Sequence, residues 1–187
     1  ISSGFEVPAR LMHAAGFALY EAKAKGAGSI CCFDPEKYAK QKSDIENIRA
    51  FSELLDKNLF TYHFQPIVSA STGEIVAYEA LMRTKGNIAL NPLQILNCAK
   101  NFGRLYDIEK ATLKNTLKYL SKHQLDFENR RLYINSISSH ALDDKDFYAI
   151  VNDYGELLEK VVIEMTEQTE ISEDDLDRIR VRLEKNN

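Results

Sequence analysis

Three oxygen-bearing side chains fall where the ends of short apolar runs would place them: Glu79 near the close of Ile75 to Arg83, Asn135 at the end of Tyr133-Ile134-Asn135, and Glu164 directly after Val161-Val162-Ile163. If these runs are strands of one barrel, side chains at their C-terminal ends project into a shared mouth, where barrel folds keep their sites. Two carboxylates and one amide oxygen form a hard donor set, suited to magnesium or manganese rather than zinc. Each residue alone has a plainer explanation. A glutamate after a strand serves as a cap or an ion-pair partner, and an asparagine ahead of serines is a turn residue. At this level a divalent metal site and three unrelated structural roles both stay open.

The elements that must position these residues are legible in the periodicity. Phe60 to Val68 and Glu74 to Arg83 read as β-runs joined by Ser69-Ala70-Ser71-Thr72-Gly73, a loop with the composition of a hairpin connection, and they are expected to pair antiparallel. Helices are predicted over 92–102, closed by Gly103, and over 106–123. Strand 132–135, helix 144–152, strand 161–165 and helix 172–184, the last capped by Ser172, then alternate. Such alternation, with apolar runs buried on both faces, predicts an α/β fold with a parallel sheet covered by helices. Upstream, Ile1 to Phe5 and Ile30 to Phe33 read as short strands around a helix from Pro8 to Lys25, stopped by Gly26. Asp34-Pro35 opens a charged connector helix reaching Asn58, with Ile45, Ile48, Phe51, Leu54 and Leu55 on one stripe. The stripe could line a coiled-coil seam, but packing against its own domain is the expected use. His63 is expected to be an ordinary packed histidine, and the acidic run Glu170 to Asp177 a solvated helix start.

Composition narrows the partners. Of 187 residues 44% are hydrophobic and 28% charged, enough to build a core, and the net charge of -4 offers no basic face for a nucleic-acid polymer. Apolar stretches such as Val161-Val162-Ile163 fall far short of the roughly 20 residues that cross a bilayer. Cys31, Cys32 and Cys98 show neither CxxC spacing nor a nearby histidine, so reduced, structural cysteines are expected. Ile1 is not an initiator, and Arg182 to Asn187 reads as a helix end with no closing element, so a chain truncated at both ends is expected.

Glu79-Ala80-Leu81-Met82-Arg83, standing after Gln65-Pro66-Ile67-Val68 and Thr72-Gly73, resembles the signature of bacterial EAL domains. Ile134-Asn135-Ser136-Ile137-Ser138 and Ile163-Glu164-Met165-Thr166-Glu167 resemble that family's next two strands, in the same order. The resemblance implies the first half of a TIM-like (β/α) barrel with an antiparallel first strand, over residues 59–187, with 34–58 as connector. It also implies cyclic-di-GMP phosphodiesterase chemistry: Glu79, Asn135 and Glu164 as ligands of two divalent metals, Mg2+ or Mn2+, with Glu167 holding a loop that completes the site. Gln65, Leu81 and Arg83 would contact the dinucleotide. A guanidinium suits that role because it forks two hydrogen bonds onto a phosphate, although a structural ion pair would also explain Arg83. Thr84 stands in place of a frequent tryptophan, Lys100 in place of a frequent glutamate, and Ser136-Ile137 lengthens the asparagine-serine spacing.

Residues 1–33, with Ile1-Ser2-Ser3-Gly4 and Ala18-Leu19-Tyr20-Glu21-Ala22-Lys23, resemble the last strand and helix of a GGDEF domain, though Gly16 replaces the usual aspartate and the signature loop is absent. No cyclase activity is therefore expected. A complete barrel of this class needs about 250 residues, so the family's later ligands and its lysine fall beyond residue 187. The 187-residue chain alone is expected to be inactive, with an open edge at its last parallel strand. The parent is expected to be a cytoplasmic signalling hydrolase, homodimeric, with cyclic-di-GMP as ligand. Alternatives are a catalytically degenerate EAL domain acting as a cyclic-di-GMP receptor or docking module, and a metal-dependent barrel hydrolase for another phosphodiester.

Overall fold

Phe60, Tyr62 and Phe64 alternate with Thr61, His63 and Gln65, so one side of this segment is aromatic and the other polar. In the computed structural model, which describes residues 8–123, 127, 130–137 and 140–165, the segment forms strand β1 (Phe60–Val68), antiparallel to β2 (Ile75–Thr84). The turn between them closes through Ser69 N–H to Glu74 O at 2.9 Å and Gly73 N–H to Ser69 O at 2.8 Å. Gly73 sits there at φ 71, in the left-handed region that glycine enters without a Cβ clash. β3 (Arg131–Ser136) joins β2 in parallel, and β4 (Val161–Met165) joins β3 in parallel, giving a mixed sheet of order β1-β2-β3-β4.

Five helices are described: α1 (Pro8–Lys25), α2 (Pro35–Asp56), α3 (Pro92–Asn101), α4 (Leu105–Lys122) and α5 (Asp144–Leu158). Their ends follow from local chemistry. Asp34 Oδ1 accepts from the N–H groups of Glu36 and Lys37 at 3.0 and 3.1 Å at the start of α2. Asn91 and Gln94 form a reciprocal capping box at α3. α3 stops at Gly103, φ 63, whose N–H bonds Lys100 O while Arg104 N–H reaches Ala99 O at 2.7 Å. That pair of bonds is the glycine-terminated helix end the sequence predicts. Asp143 caps α5 by accepting from Asp146 N–H at 2.8 Å.

The chain divides into two compact units, 1–49 and 50–187. In the first, Phe17, Phe33 and Tyr38 form an aromatic cluster with ring centroids 5.4 to 6.2 Å apart. In the second, a single cluster joins Phe60, Tyr62, Ala80, Leu132 and Ile134 of the sheet to Phe51 and Leu54 of α2, Ile95 and Ala99 of α3, Ile108, Leu117 and Leu120 of α4, and Ile150 and Leu157 of α5. Burying a side chain such as Leu132 or Ile134 contributes about 1.5–3 kcal/mol, so the helix-covered face of the sheet is where this unit is held together.

Several expectations need correction. Ile30 to Phe33 form no strand, and Ile30 is 91% exposed; among the described residues nothing stands beside the segment to complete a ladder. α5 continues to Leu158 past non-helical Tyr154, because Leu157 beyond the irregularity still buries in the core. The α2 stripe is buried at Phe51 and Leu54 but not at Ile45 or Ile48. Strand 1–5, helix 172–184 and the acidic run 170–177 lie outside the described residues.

Candidate metal and phosphate site

The strand alternation that sends Leu132 and Ile134 to the helices sends Tyr133 and Asn135 to the opposite face. Parallel partners share a side, so the pairing Glu79↔Tyr133 puts Glu79 on that face, and Asn135↔Glu164 puts Glu164 there too. The antiparallel pairs Gln65↔Glu79, His63↔Leu81 and Thr61↔Arg83 add five further candidates or neighbours. Six expected site residues, Gln65, Glu79, Leu81, Arg83, Asn135 and Glu164, therefore occupy one side of the sheet, opposite the face that carries Leu132 and Ile134 into the core.

One contact fixes the centre. Asn135 Nδ2 donates to Glu79 Oε1 at 2.7 Å, across two parallel strands. Donation through the amide nitrogen leaves Asn135 Oδ1 free to accept or to ligate. With Glu164 of β4 beside it in register, the Asn135 carboxamide on β3 is flanked by two carboxylate-bearing residues, Glu79 in the middle of β2 and Glu164 near the end of β4. The donor set fits a hard divalent cation, while among the described residues no group of three or more His, Cys, Asp or Glu side chains is placed to hold one. Any shell built here thus leans on the asparagine or on residues beyond the described ones.

Arg83 Nη1 donates to the Met82 carbonyl at 2.8 Å. No carboxylate pairs with it among the described residues, so the structural ion pair that would explain it without a ligand is not seen there. His63 is exposed on the open face opposite Leu81, not packed as expected; the even-numbered aromatic residues of β1 take the covered side. Glu167 lies outside the described residues.

The residue that sequence reasoning missed is Glu109. It lies on α4, 3% exposed, and its carboxylate accepts from Ser136 Oγ–H at 2.6 Å and Ile137 N–H at 2.8 Å. Burial pushes its carboxyl above the ordinary range, an effect opposed by the Ile137 and Ser136 hydrogen bonds. The signal was available: Glu109, Thr112 and Thr116 follow helical spacing on the stripe that also carries Ile108 and Leu120, so a carboxylate was being sent into the core. A groove of about 90 Å³ between α4 and α5 has charged walls, but its Lys110 and Asp146 pair with each other at 2.7 Å.

A family model described as the EAL domain matches residues 48–185. A bifunctional diguanylate cyclase/cyclic di-GMP phosphodiesterase, MucR of Pseudomonas aeruginosa, is 26% identical over 112 residues, 59% of this chain and 16% of that protein. The chain thus spans about a sixth of that relative's length. The EAL domain of Xanthomonas citri FimX, solved in complex with c-diGMP, superposes with a TM-score of 0.57 at 16% identity, covering 80% of this chain and 56% of that one. Klebsiella pneumoniae BlrP1, in a manganese/cy-diGMP complex, gives 0.55 at 16% identity, covering 68% and 33%. At these identities the solved structures show the fold alone.

Proposed function

The chain belongs to the EAL domain family, and from that membership we propose that it contributes the first half of a metal-dependent phosphodiesterase site for cyclic-di-GMP. The observation that carries this reading is the Asn135 to Glu79 hydrogen bond, with Glu164 in register beside it and Gln65, Leu81 and Arg83 on the same open face. Glu79, Asn135 and Glu164 would hold Mg2+ or Mn2+ through oxygen. When bound, such ions supply positive charge against the phosphodiester and make a water molecule a better nucleophile. Gln65 and Leu81 would meet the dinucleotide, Arg83 would fork onto a phosphate oxygen pair, and Glu167 would steady the loop that completes the shell. Residues 59–187 would then be the early half of the EAL domain, 34–58 its connector and 1–33 a GGDEF remnant. Three oxygen donors make an incomplete shell for two ions, and hydrolysis by this chain on its own is proposed to be negligible.

Calorimetric titration of the chain with MnCl2 and then cyclic-di-GMP tests the proposal. Glu79→Gln should abolish manganese binding, and Arg83→Ala should weaken cyclic-di-GMP binding by about tenfold or more, the worth of a charge-assisted hydrogen bond. Manganese binding untouched by Glu79→Gln would refute the site. Cyclic-di-GMP binding that ignores both manganese and Glu79 would favour a receptor instead. Chelator-sensitive turnover by the 187-residue chain would overturn the claim that it is inactive alone.

A further inference from the structure

Among the described residues Glu109 is the one charged side chain that is fully buried. A lone carboxylate in a core is costly, and a hydrophobic residue of similar size would suit the rest of the α4 stripe better. Its two partners are the residues directly after Asn135. The ladder from β3 to β2 ends at Ile134, so the stretch that carries Asn135 has lost its β2 partner by the time the strand closes. Ile137, one residue beyond the end of β3, gives its N–H to Glu109. Ser136 points to the helices and is tied to the same carboxylate. By alternation, whatever fixes Ser136 on the covered side fixes Asn135 on the open one.

We infer that Glu109 is a positioning residue: anchored on α4, it clamps Ser136 and Ile137 and so sets where Asn135 presents its carboxamide to Glu79 and to a cation. The metal part of this inference rests on the function proposed above; the placement of Asn135 does not. Groups that orient ligands from behind typically change metal affinity by about 10- to 100-fold when removed.

The test follows the side-chain NH2 signals of Asn135 in nitrogen-proton NMR spectra of the metal-free chain, assigned by their loss in Asn135→Ala, together with calorimetric MnCl2 affinity. Glu109→Leu keeps the packing and removes both acceptors. Glu109→Gln can still accept from Ile137 N–H and donate to Ser136 Oγ. The expected result is that Glu109→Leu moves the Asn135 pair toward solvent-exposed values and weakens manganese binding by about tenfold or more, while Glu109→Gln restores both. Asn135 signals unmoved in Glu109→Leu, or moved as far in Glu109→Gln, would overturn the inference. Should Glu109→Leu fail to fold, Ser136→Ala decides, since it deletes one of the two bonds from the strand side; an unchanged Asn135 pair there also counts against the clamp. If the unmodified chain binds no manganese, the proposed function falls alone, and the NMR arm still decides on Glu109.

Discussion

Replacing Asn135 with aspartate changes one atom's chemistry and turns the centre of the site from glue into repulsion. The amide now donates to Glu79 Oε1 at 2.7 Å and stands in register with Glu164. In Asn135→Asp that donor becomes a third carboxylate, and the oxygens are driven apart to about 4 Å, where two unit charges repel by about 1 kcal/mol in water and about 4 at lower effective dielectric. Asn135 is exposed and Glu79 only half-buried, so the lower end applies. Adding the lost hydrogen bond, about 1 kcal/mol, the metal-free variant should be about 2 kcal/mol less stable at neutral pH. Urea unfolding at low and high NaCl checks this: the penalty should shrink with salt, which screens exposed charges. It should shrink further with MnCl2, because an ion that binds only the folded chain adds stability. An Asn135→Asp chain as stable as the parent without metal, or one that gains nothing from manganese, would refute the juxtaposition of the three groups.

Ile134→Ala should cost about 2–5 kcal/mol, since Ile134, on β3 itself, is completely buried in the core the sheet shares with the helices, and its urea midpoint should fall with an unchanged slope. Asp146 accepts from Lys110 Nζ and Tyr106 Oη–H, each at 2.7 Å, and these partners, Lys110 first, hold its carboxyl below the ordinary 3.8. A lowered carboxyl favours the folded state above its ordinary value and loses that advantage as pH falls through the lowered one. Asp146→Asn should therefore be less stable than the parent at neutral pH, by up to about 1 kcal/mol for a partly exposed pair, with the gap closing in acid when thermal unfolding is followed as a function of pH.

Much of the sheet could be read from the chain because its signals are local. The hairpin rests on alternation in β1 and a glycine-bearing turn, and β3 and β4 rest on short apolar runs, so Asn135 and Glu164 could be assigned to strand ends, whereas Glu79 stands in the middle of β2 rather than near its close. What could not be read locally is what depends on partners distant in sequence. Ile30 to Phe33 has strand-like residues without a strand to join. The side taken by His63 follows from which of two alternating sets carries the aromatic residues that α4 covers. Helical spacing places Glu109 on the buried stripe of α4, but only the approach of β3 shows that its carboxylate holds the end of a strand 27 residues away. Family likeness supplied the expectation that Glu79, Asn135 and Glu164 act together, and the register brings them to one face of the sheet.

Because β1 runs against β2, polypeptide arriving from the N-terminal side meets the sheet at the end of β2 that carries Arg83. Phe60 stands opposite Thr84, and Lys85 N–H closes onto Leu59 O at 2.8 Å, two residues past Arg83. Just ahead, Asn58 turns the chain with φ 48 and exchanges two amide hydrogen bonds with Asn115, at 3.0 and 2.7 Å. The doorway to the domain is thus tied to α4, the same helix that carries Glu109.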